Sequence, residues 1–440
     1  MTGPPGLTLN YTLPPPSLPS SRTSLADLVA SVTTTLSAAK YLQSHRPTAD
    51  DGLRALDLEA GEEEEVYLVS TASERDALML NLLAPTHRNA PLPSNAVPGL
   101  KVRHVSPAIA FCYYATKPYD SPTPGRAALD QLSELLGPAN IDLVMQRYIQ
   151  VDGEALPIWS AEHFAAVPSL DVGLSCAYIA AGLTYTPELR HLQKKAWETC
   201  YAHFRSHTPR ARLAQIQSWL VDLYGRSQVN PSGNFIRLGS LISVARLLGL
   251  HLDCSSWDLP RWERDLRTRL WWALLQYDRW SALAFGRTSS IGYEDQNLPP
   301  LPQPPQGAAP NPSFSAFVAL CELTVIMDSL HRRNNSTGQD KMTMLEEIGL
   351  RLDQWRKQAD MRGLWTFGHD QAPPGVRSLQ LTYYYSGMVL SRETWDAVAG
   401  QNPAADVIGQ RTCLACTLEM VDFVTSLRPS DMASYWSCRE

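Results

Sequence analysis

The feature that most constrains the fold is a helical periodicity that recurs with short breaks over residues 103–427. In one segment Leu345, Ile348 and Leu352 follow one another at intervals of three and four residues, and Trp355 continues the row. An α-helix turns every ~3.6 residues, so this spacing places the four side chains on one apolar face, opposite the charged residues. Such segments predict amphipathic helices that pack against one another.

The pattern as a whole predicts an all-α protein. Strand signals are few, and Glu65–Ser70 is the only plausible short strand. The sequence shows neither alternating strands and helices nor a repeat of fixed period. The predicted helices are residues 126–136, 139–150, 160–166, 173–182, 186–206, 211–226, 234–250, 260–285, 313–333, 341–360, 376–399 and 405–427.

The first hundred residues differ from the rest. Residues 1–22 are rich in proline, serine and threonine, a composition typical of disorder. Ser24 can cap a helix that continues to about His45, and a polar loop follows. We therefore divide the chain into a partly disordered N-terminal segment, 1–100, with one or two helices, and one large multi-helix domain, 101–430. A proline-rich linker at 298–312 connects two helices within that domain.

Charge argues against a surface that binds nucleic acid unaided. The chain has 440 residues, a net charge of −6 at pH 7 and a pI of about 6.0. Domains that bind nucleic acid usually have a pI above ~9, because they neutralise phosphates. The longest basic runs here are pairs, Lys194–Lys195 and Arg332–Arg333. No compact basic nuclear signal is visible.

Apolar runs give no support for a membrane protein. A spanning helix needs ~20 mostly apolar residues, and the best candidates, Ala108–Ala115 and Val172–Leu183, are too short. Met1–Pro19 is rich in proline and lacks the basic and apolar regions of a signal peptide. We expect an intracellular protein without a membrane partner.

Neither a metal site nor a catalytic site emerges from the motifs. Cys413 and Cys416 form a CxxC pair, but no second pair exists, and a structural zinc site takes about four ligands. The sequence contains no G-x-G-x-x-G, Walker A, G-x-S-x-G or H-E-x-x-H motif. We therefore expect no enzyme activity, no catalytic or metal-binding residue and no cofactor in this chain.

The most informative stretch is residues 234–302. Within its longest helix, Glu263 and Arg267 have the acid-first i,i+4 spacing of surface ion pairs worth ~0.3–0.5 kcal/mol, and so do Asp265 and Arg269. The aspartate–arginine pair at 278 and 279 lies in an otherwise apolar helix, which predicts a partly buried polar network. A glycine at 286 can end this helix in the left-handed conformation.

The same stretch resembles the fungal-specific transcription factor domain, which is the middle homology region of zinc binuclear cluster regulators. The order and spacing of several motifs fit that family, and a weaker resemblance extends over roughly residues 100–400. Thr288 stands where the family often has proline. The matching residues are Leu248, Gly249, Leu250, His251 and Asp253 in an A-x-x-LGLH-x-D turn, Arg267, Arg269, Trp271 and Trp272 in an RxRLWW motif, then Asp278, Arg279, Gly286, Arg287, Ile291, Asp295 and Pro299.

The resemblance implies a helical regulatory domain that acts in the nucleus and restrains or relays transcriptional activation. Its partners would be the transcription machinery or a partner regulator, and a small-molecule effector is compatible with such a domain. The family usually carries six zinc-binding cysteines near its N-terminus, but the only cysteine before position 170 is Cys112. Zinc would therefore need a cluster that is absent here, and DNA binding is expected only if a cluster is supplied elsewhere.

Three hypotheses stay open. The first is a transcription regulator. In that case either the gene model is truncated at its N-terminus, or the protein regulates transcription without a DNA-reading module. An interaction module derived from the domain, such as a dominant-negative partner, is the main alternative. An all-α enzyme with an unrecognised site is the least favoured reading.

The signature residues are expected to build the fold. Trp271, Trp272, Leu248 and Leu250 are predicted to lie in the core. We interpret the polar signature residues, which are Arg269, Asp278, Arg279 and Arg287, as an internal ion-pair network rather than a ligand site. Adjacent helical residues do not face each other, so Asp278 and Arg279 are expected to reach different partners. Asp278 is expected to be neutralised by Arg279 or by an arginine from another segment, for which Arg287 is the nearest candidate. Glu263 is expected in an exposed pair whose loss changes stability by less than ~1 kcal/mol.

The cysteine pattern predicts that the purified chain binds no stoichiometric zinc. Cys413 and Cys416 offer only two of the roughly four ligands that a structural site needs. Elemental analysis of the purified protein checks this directly. One or more zinc ions per chain, lost on Cys416→Ser, would contradict the prediction.

Overall fold

The structure is a computed structural model and confirms the all-α class. Twelve α-helices and three short strands lie in the part of the chain that it describes. The described residues are 53–59, 64–69, 101–107, 109–115, 127–160, 163, 171–206, 211–225, 230–292, 298–304, 310–332, 339–368, 371–400, 402–428 and 431.

The elements follow one another along the chain with mostly short connections. Their bounds are α1 Leu56–Glu59, β1 Glu64–Val69, β2 Lys101–Ser106, β3 Ile109–Ala115, α2 Ala127–Leu136, α3 Pro138–Ala155, α4 Val172–Gly182, α5 Gln193–Ser206, α6 Leu213–Gly225, α7 Pro231–Leu247, α8 Arg261–Phe285, α9 Pro312–Arg332, α10 Gln339–Met361, α11 Val376–Val398 and α12 Pro403–Ser426.

Most of the predicted helices agree with these bounds to within a few residues. The helix predicted over 186–206 begins only at Gln193, because the chain first forms turns and a 3₁₀ segment, Arg190–Leu192. The N-terminal helix to about His45 lies outside the described residues, and so does all of the predicted helix 160–166 except residue 163.

A three-stranded antiparallel sheet is the main element that the sequence analysis missed. Only the first strand was predicted; the order in the sheet is β1-β3-β2, with Val66 opposite Tyr113. The central strand β3 is almost continuously apolar because its consecutive residues from Ala110 to Tyr113 are all buried, so both of its faces are covered. It therefore lacks the polar alternation of a half-exposed strand.

Three apolar clusters form the core. The largest joins α2 to α8, a second joins α9, α10 and α11, and a third lies between the sheet and the loop that contains Trp257. Helix α8 contacts both helical clusters, since Leu270 lies in the first and Trp280 packs against the second. It connects the two halves of the domain together with α9, whose Phe317 and Cys321 also lie in the first cluster.

Helix α9 is the one element in the described ranges that is long and apolar enough to span a membrane, over Pro312–Leu330. Within the fold, 67% of its most apolar window is buried. It packs against α8, α10 and α11, so neighbouring helices cover most of this apolar stretch.

Candidate functional site

The candidate site is α8 together with the turn that precedes it, because these carry most of the signature residues. The helix begins after Pro260 and ends at Gly286, whose φ of 61° is left-handed, as predicted. The Arg287 N–H then donates to the Ala282 carbonyl at 2.9 Å, which satisfies one carbonyl of the last turn.

The turn after α7 explains the signature glycine at position 249. Its φ is 68°, a conformation that other residues rarely adopt. A Cβ there would also lie only 3.3 Å from ring atoms of Phe111 and Trp257. Leu248 and Leu250 on either side are buried in the largest cluster, which confirms their predicted place in the core. The turn thus brings α7 close against the sheet.

The other two signature residues of this turn act locally. The carboxylate of Asp253 accepts the Ser255 N–H at 2.9 Å and so stabilises the chain reversal. The His251 ring lies 6.0 Å from the Trp271 ring, at the edge of the core.

The pair of Glu263 and Arg267 is buried, so the prediction of an exposed surface pair was wrong. The side chains are 0% and 1% exposed, and Arg267 Nη2 lies 2.7 Å from Glu263 Oε1. Arg267 also donates to the Leu248 carbonyl at 2.8 Å. Its guanidinium group stands 5.8 Å and 5.9 Å from the ring centres of Phe111 and Trp257. Tertiary packing of the sheet covers a helix face that the sequence pattern had assigned to solvent.

The carboxylate of Glu263 also holds part of the N-terminal segment. It accepts the N–H of Leu56 at 2.7 Å and that of Asp57 at 3.3 Å, at the start of α1. Helix N-termini favour negative charge, because their first N–H groups have no partner within the helix. Residues 56–57, placed by the sequence analysis in a separate segment, are therefore anchored on the signature helix.

The carboxylate of Asp57 extends this first network to two further elements. Its Oδ2 lies 3.1 Å from His163 Nε2, and its Oδ1 accepts the Leu213 N–H at 2.9 Å, at the start of α6. Burial acts to raise the pKa of Asp57, but the hydrogen bond and charge of His163 outweigh it, so the pKa is lowered below its usual value. The group therefore stays ionised within the core.

The tryptophan pair confirms its predicted core position. Trp271 and Trp272 are both buried, and Trp272 Nε1 donates to the Pro300 carbonyl at 3.0 Å. This bond fixes part of the proline-rich linker against α8. Arg269 is half-buried on the same helix.

A second buried network lies at the other end of α8, around Asp278. Its carboxylate accepts the N–H groups of Ser290 and Ile291 at 2.8 Å and 3.1 Å and the hydroxyl of Ser289. Arg279 Nη1 lies 2.7 Å from the same carboxylate. The aspartate thereby holds the chain that leaves the helix.

Arg279 bridges two carboxylates, which corrects part of the prediction. It contacts Asp278, its neighbour in sequence, because its long side chain folds back along the helix. Its Nε also lies 2.5 Å from Asp328 Oδ1 on α9. The network therefore joins α8 to α9, and so connects the two helical clusters.

Of the two candidates to neutralise Asp278, Arg279 does so and Arg287 does not. Arg287 donates instead to the Pro231 carbonyl at 3.0 Å and lies over the rings of Phe235 and Phe285. It thus links the end of α8 to the start of α7. Asp295, the remaining acidic signature residue, lies outside the described residues.

Sequence reasoning missed three members of these networks: Asp57, His163 and Asp328. A signal existed for Asp328, which interrupts an apolar helical run as Asp278 does. None existed for Asp57 and His163, because their partners come from elements more than 100 residues away in sequence.

The chemistry of the site is that of a structural connector. The acidic groups of both networks bind neighbouring N–H groups and arginines, so each of them already has internal partners. Among the described residues, no group of three or more His, Cys, Asp or Glu side chains could hold a metal ion. Cys413 and Cys416 are half-buried on α12.

Comparison with known proteins agrees with this picture. The family model described as the fungal specific transcription factor domain matches residues 166–357. This range includes α8, its buried Glu263–Arg267 pair and the network around Asp278. This region is therefore similar to the fungal specific transcription factor domain. The signature residues from Leu248 to Arg287 all lie within the matched range.

Several curated fungal proteins share this region. The chain is 29% identical over 178 residues to an uncharacterized transcriptional regulatory protein of Schizosaccharomyces pombe, covering 37% of this chain and 26% of that protein. It is 40% identical over 100 residues to the transcriptional activator protein DAL81 of Saccharomyces cerevisiae, covering 23% of this chain and 10% of that protein.

A third relative is the thiamine repressible genes regulatory protein thi1 of S. pombe, 29% identical over 145 residues, or 32% of this chain and 19% of that protein. The matches thus span about a quarter or less of the length of these curated relatives. No solved structure matches the chain.

The burial of Glu263 generates a stability prediction. Glu263→Ala leaves the Arg267 charge uncompensated and two N–H groups of α1 without their acceptor. We expect the free energy of unfolding to fall by ~3–5 kcal/mol, measured by denaturant titration of the purified chain. The matched control is Asp265→Ala, in a half-exposed pair with Arg261, which should cost less than ~1 kcal/mol. Equal effects of the two substitutions would contradict a structural role for the buried pair.

The network around Asp278 generates a second prediction. Asp278→Ala should lower the melting temperature sharply, because Arg279 keeps one carboxylate instead of two in the core. The amides of Ser290 and Ile291 should also exchange hydrogen faster by about tenfold or more, since a bond to a charged acceptor contributes ~1.5–3 kcal/mol.

The control for this measurement is Asp396→Ala, in an exposed pair on α11. It should leave both the melting temperature and the exchange of the two amides unchanged. Parent-like melting and exchange in Asp278→Ala would show that Asp278 does not anchor the segment after α8.

Proposed function

We propose that this chain is the regulatory part of a fungal transcription regulator that acts in the nucleus. The observation that carries the proposal is the family match over residues 166–357, within which two buried ionic networks lie at the two ends of α8. The relatives that share this region are named as transcriptional regulators or as an activator. The absence of catalytic motifs from the sequence favours regulation over enzyme activity.

These networks support a particular way of working. Helix α8 is tied to α1 by Glu263, to the sheet by Arg267, and to α9 by Arg279. A movement of the three helices α9, α10 and α11 would therefore strain the Arg279 bridge. The rigid helix α8 would transmit that movement to the N-terminal half of the domain. We propose that the domain restrains or relays activation by such a coupled movement, with the transcription machinery or a partner regulator as its target.

Within this proposal the chain itself needs no bound zinc and does not read DNA. Its net charge of −6 supports that division of labour, since sequence-specific DNA binding relies on basic surfaces. DNA recognition would come from a zinc cluster supplied elsewhere. The same features support a second candidate, an interaction module that acts on a partner regulator and has no DNA-binding role of its own.

A tethering experiment tests the proposal. The chain is fused to a foreign DNA-binding domain, and transcription is measured from a reporter that carries the matching operator. We expect reporter output to change relative to the foreign domain alone, in either direction, and to return to that baseline with Glu263→Ala. Asp265→Ala is the matched control and should behave like the parent fusion.

Nuclear protein levels are measured in parallel, so that a loss of output is not confused with a loss of protein. A parent fusion present in the nucleus at normal level and without effect on the reporter would overturn the proposal. A parent chain that binds a partner regulator yet leaves the reporter unchanged would favour the interaction module.

A further inference from the structure

A cleft of about 540 Å³ lies between α10, α11 and α12, away from the signature helix. Its volume falls within the ~300–1,000 Å³ of typical small-molecule sites, and most of its wall is apolar. Its lining includes Leu352, Tyr383, Tyr384, Leu390, Val398 and Ile408.

Missing side chains keep the cleft open. A Cβ at Gly387 would meet nothing within 4 Å, and one at Gly349 would meet only Leu390, at an ordinary contact distance of 3.8 Å. The two glycines lie on α11 and α10, which are adjacent helices that both line the cleft. Each could carry a larger side chain without a backbone clash, so the space beside them is available to a ligand.

Helix α12 forms the outer wall and is attached mainly to α11. None of its residues is buried. Its first turns are firmly seated, because Trp395 donates to Asp406 at 2.6 Å and a Cβ at Gly409 would lie 2.9 Å from the Trp395 ring. Near its other end the Phe423 ring packs at 5.0 Å from Tyr384. The wall is therefore held at both ends while the cleft between remains accessible.

The charge of the cleft has one sign. Glu346, Asp353 and Glu419 line it, and no lysine, arginine or histidine does. Among the described residues none of these three carboxylates forms an ion pair. Their common field favours a cation.

We propose that this cleft binds a small organic cation, a protonated amine joined to an apolar body. The amine would lie near the three carboxylates, and the apolar part would occupy the space beside Gly387. That the ligand acts as an effector rests on the proposed function, whereas its binding does not. A bound ligand would fix α10 and α12 relative to α11. Helices α10 and α11 pack against α9, and Arg279 joins α9 to α8.

Binding is tested with the full chain and a matched set of probes: 4-phenylbutylamine, 4-phenylbutanol and 4-phenylbutyrate. The three share one apolar body and differ in charge at neutral pH. We expect calorimetric titration to show binding of the amine, weaker binding of the alcohol and none of the acid. Equal binding of all three, or no binding of the amine, would overturn the proposal.

Variants then locate the site. Gly387→Leu fills the cleft and should abolish amine binding, and Gly349→Leu does the same from α10 if the first variant does not fold. The control is Gly239→Leu on α7, a helical glycine whose Cβ also meets nothing within 4 Å. Amine binding retained by the filling variants would place the ligand elsewhere and refute the proposal.

Charge is tested separately with Asp353→Asn combined with Glu419→Gln. Amine affinity should fall about tenfold, or ~1.4 kcal/mol, while affinity for the alcohol stays unchanged. An equal loss for both probes would contradict recognition of the cation. If a basic amphipathic peptide binds and the amine does not, the cleft is a peptide groove and the proposal fails.

The tethered reporter separates this inference from the proposed function. Amine binding without any change in reporter output would leave the binding site intact and refute the effector role. A parent fusion that never affects the reporter would refute the regulatory function, while the calorimetric result would still decide the site.

Discussion

The buried ion pair of Glu263 and Arg267 is the interaction on which the arrangement of this domain depends. Two opposite charges within a core are tolerated only when each finds further partners. Here the carboxylate takes two N–H groups of α1, and the guanidinium takes the Leu248 carbonyl and faces Phe111 and Trp257. One pair thus fixes α1, the glycine turn and the sheet around a single helix.

The other end of α8 repeats this solution with different partners. Arg279 lies between Asp278 and Asp328, and Asp278 holds the N–H groups of the chain that follows the helix. Because α8 is continuous between the two networks, they are mechanically linked by a rigid rod of 25 residues. This linkage gives a physical basis for communication between α9 and the N-terminal half of the domain.

Helices α10 to α12 combine ionic and aromatic contacts. The buried Arg377 at the start of α11 pairs with Asp431 at 3.1 Å. Trp355 stacks on Tyr383, and α12 closely approaches Trp395. The glycines on α10 and α11 leave unfilled space beside these contacts, which gives this part of the domain room for a ligand.

The sequence by itself determined the helical class, most helix bounds, the left-handed end at Gly286 and the core position of the tryptophan pair. Each follows from local periodicity or backbone sterics, which act over a few residues. Only the tertiary structure decided that Glu263 is buried, that Asp328 rather than Arg287 completes the network at Asp278, and that β2 and β3 join β1. These depend on contacts between segments that are distant in the chain, and a local pattern carries no record of which segment will cover it.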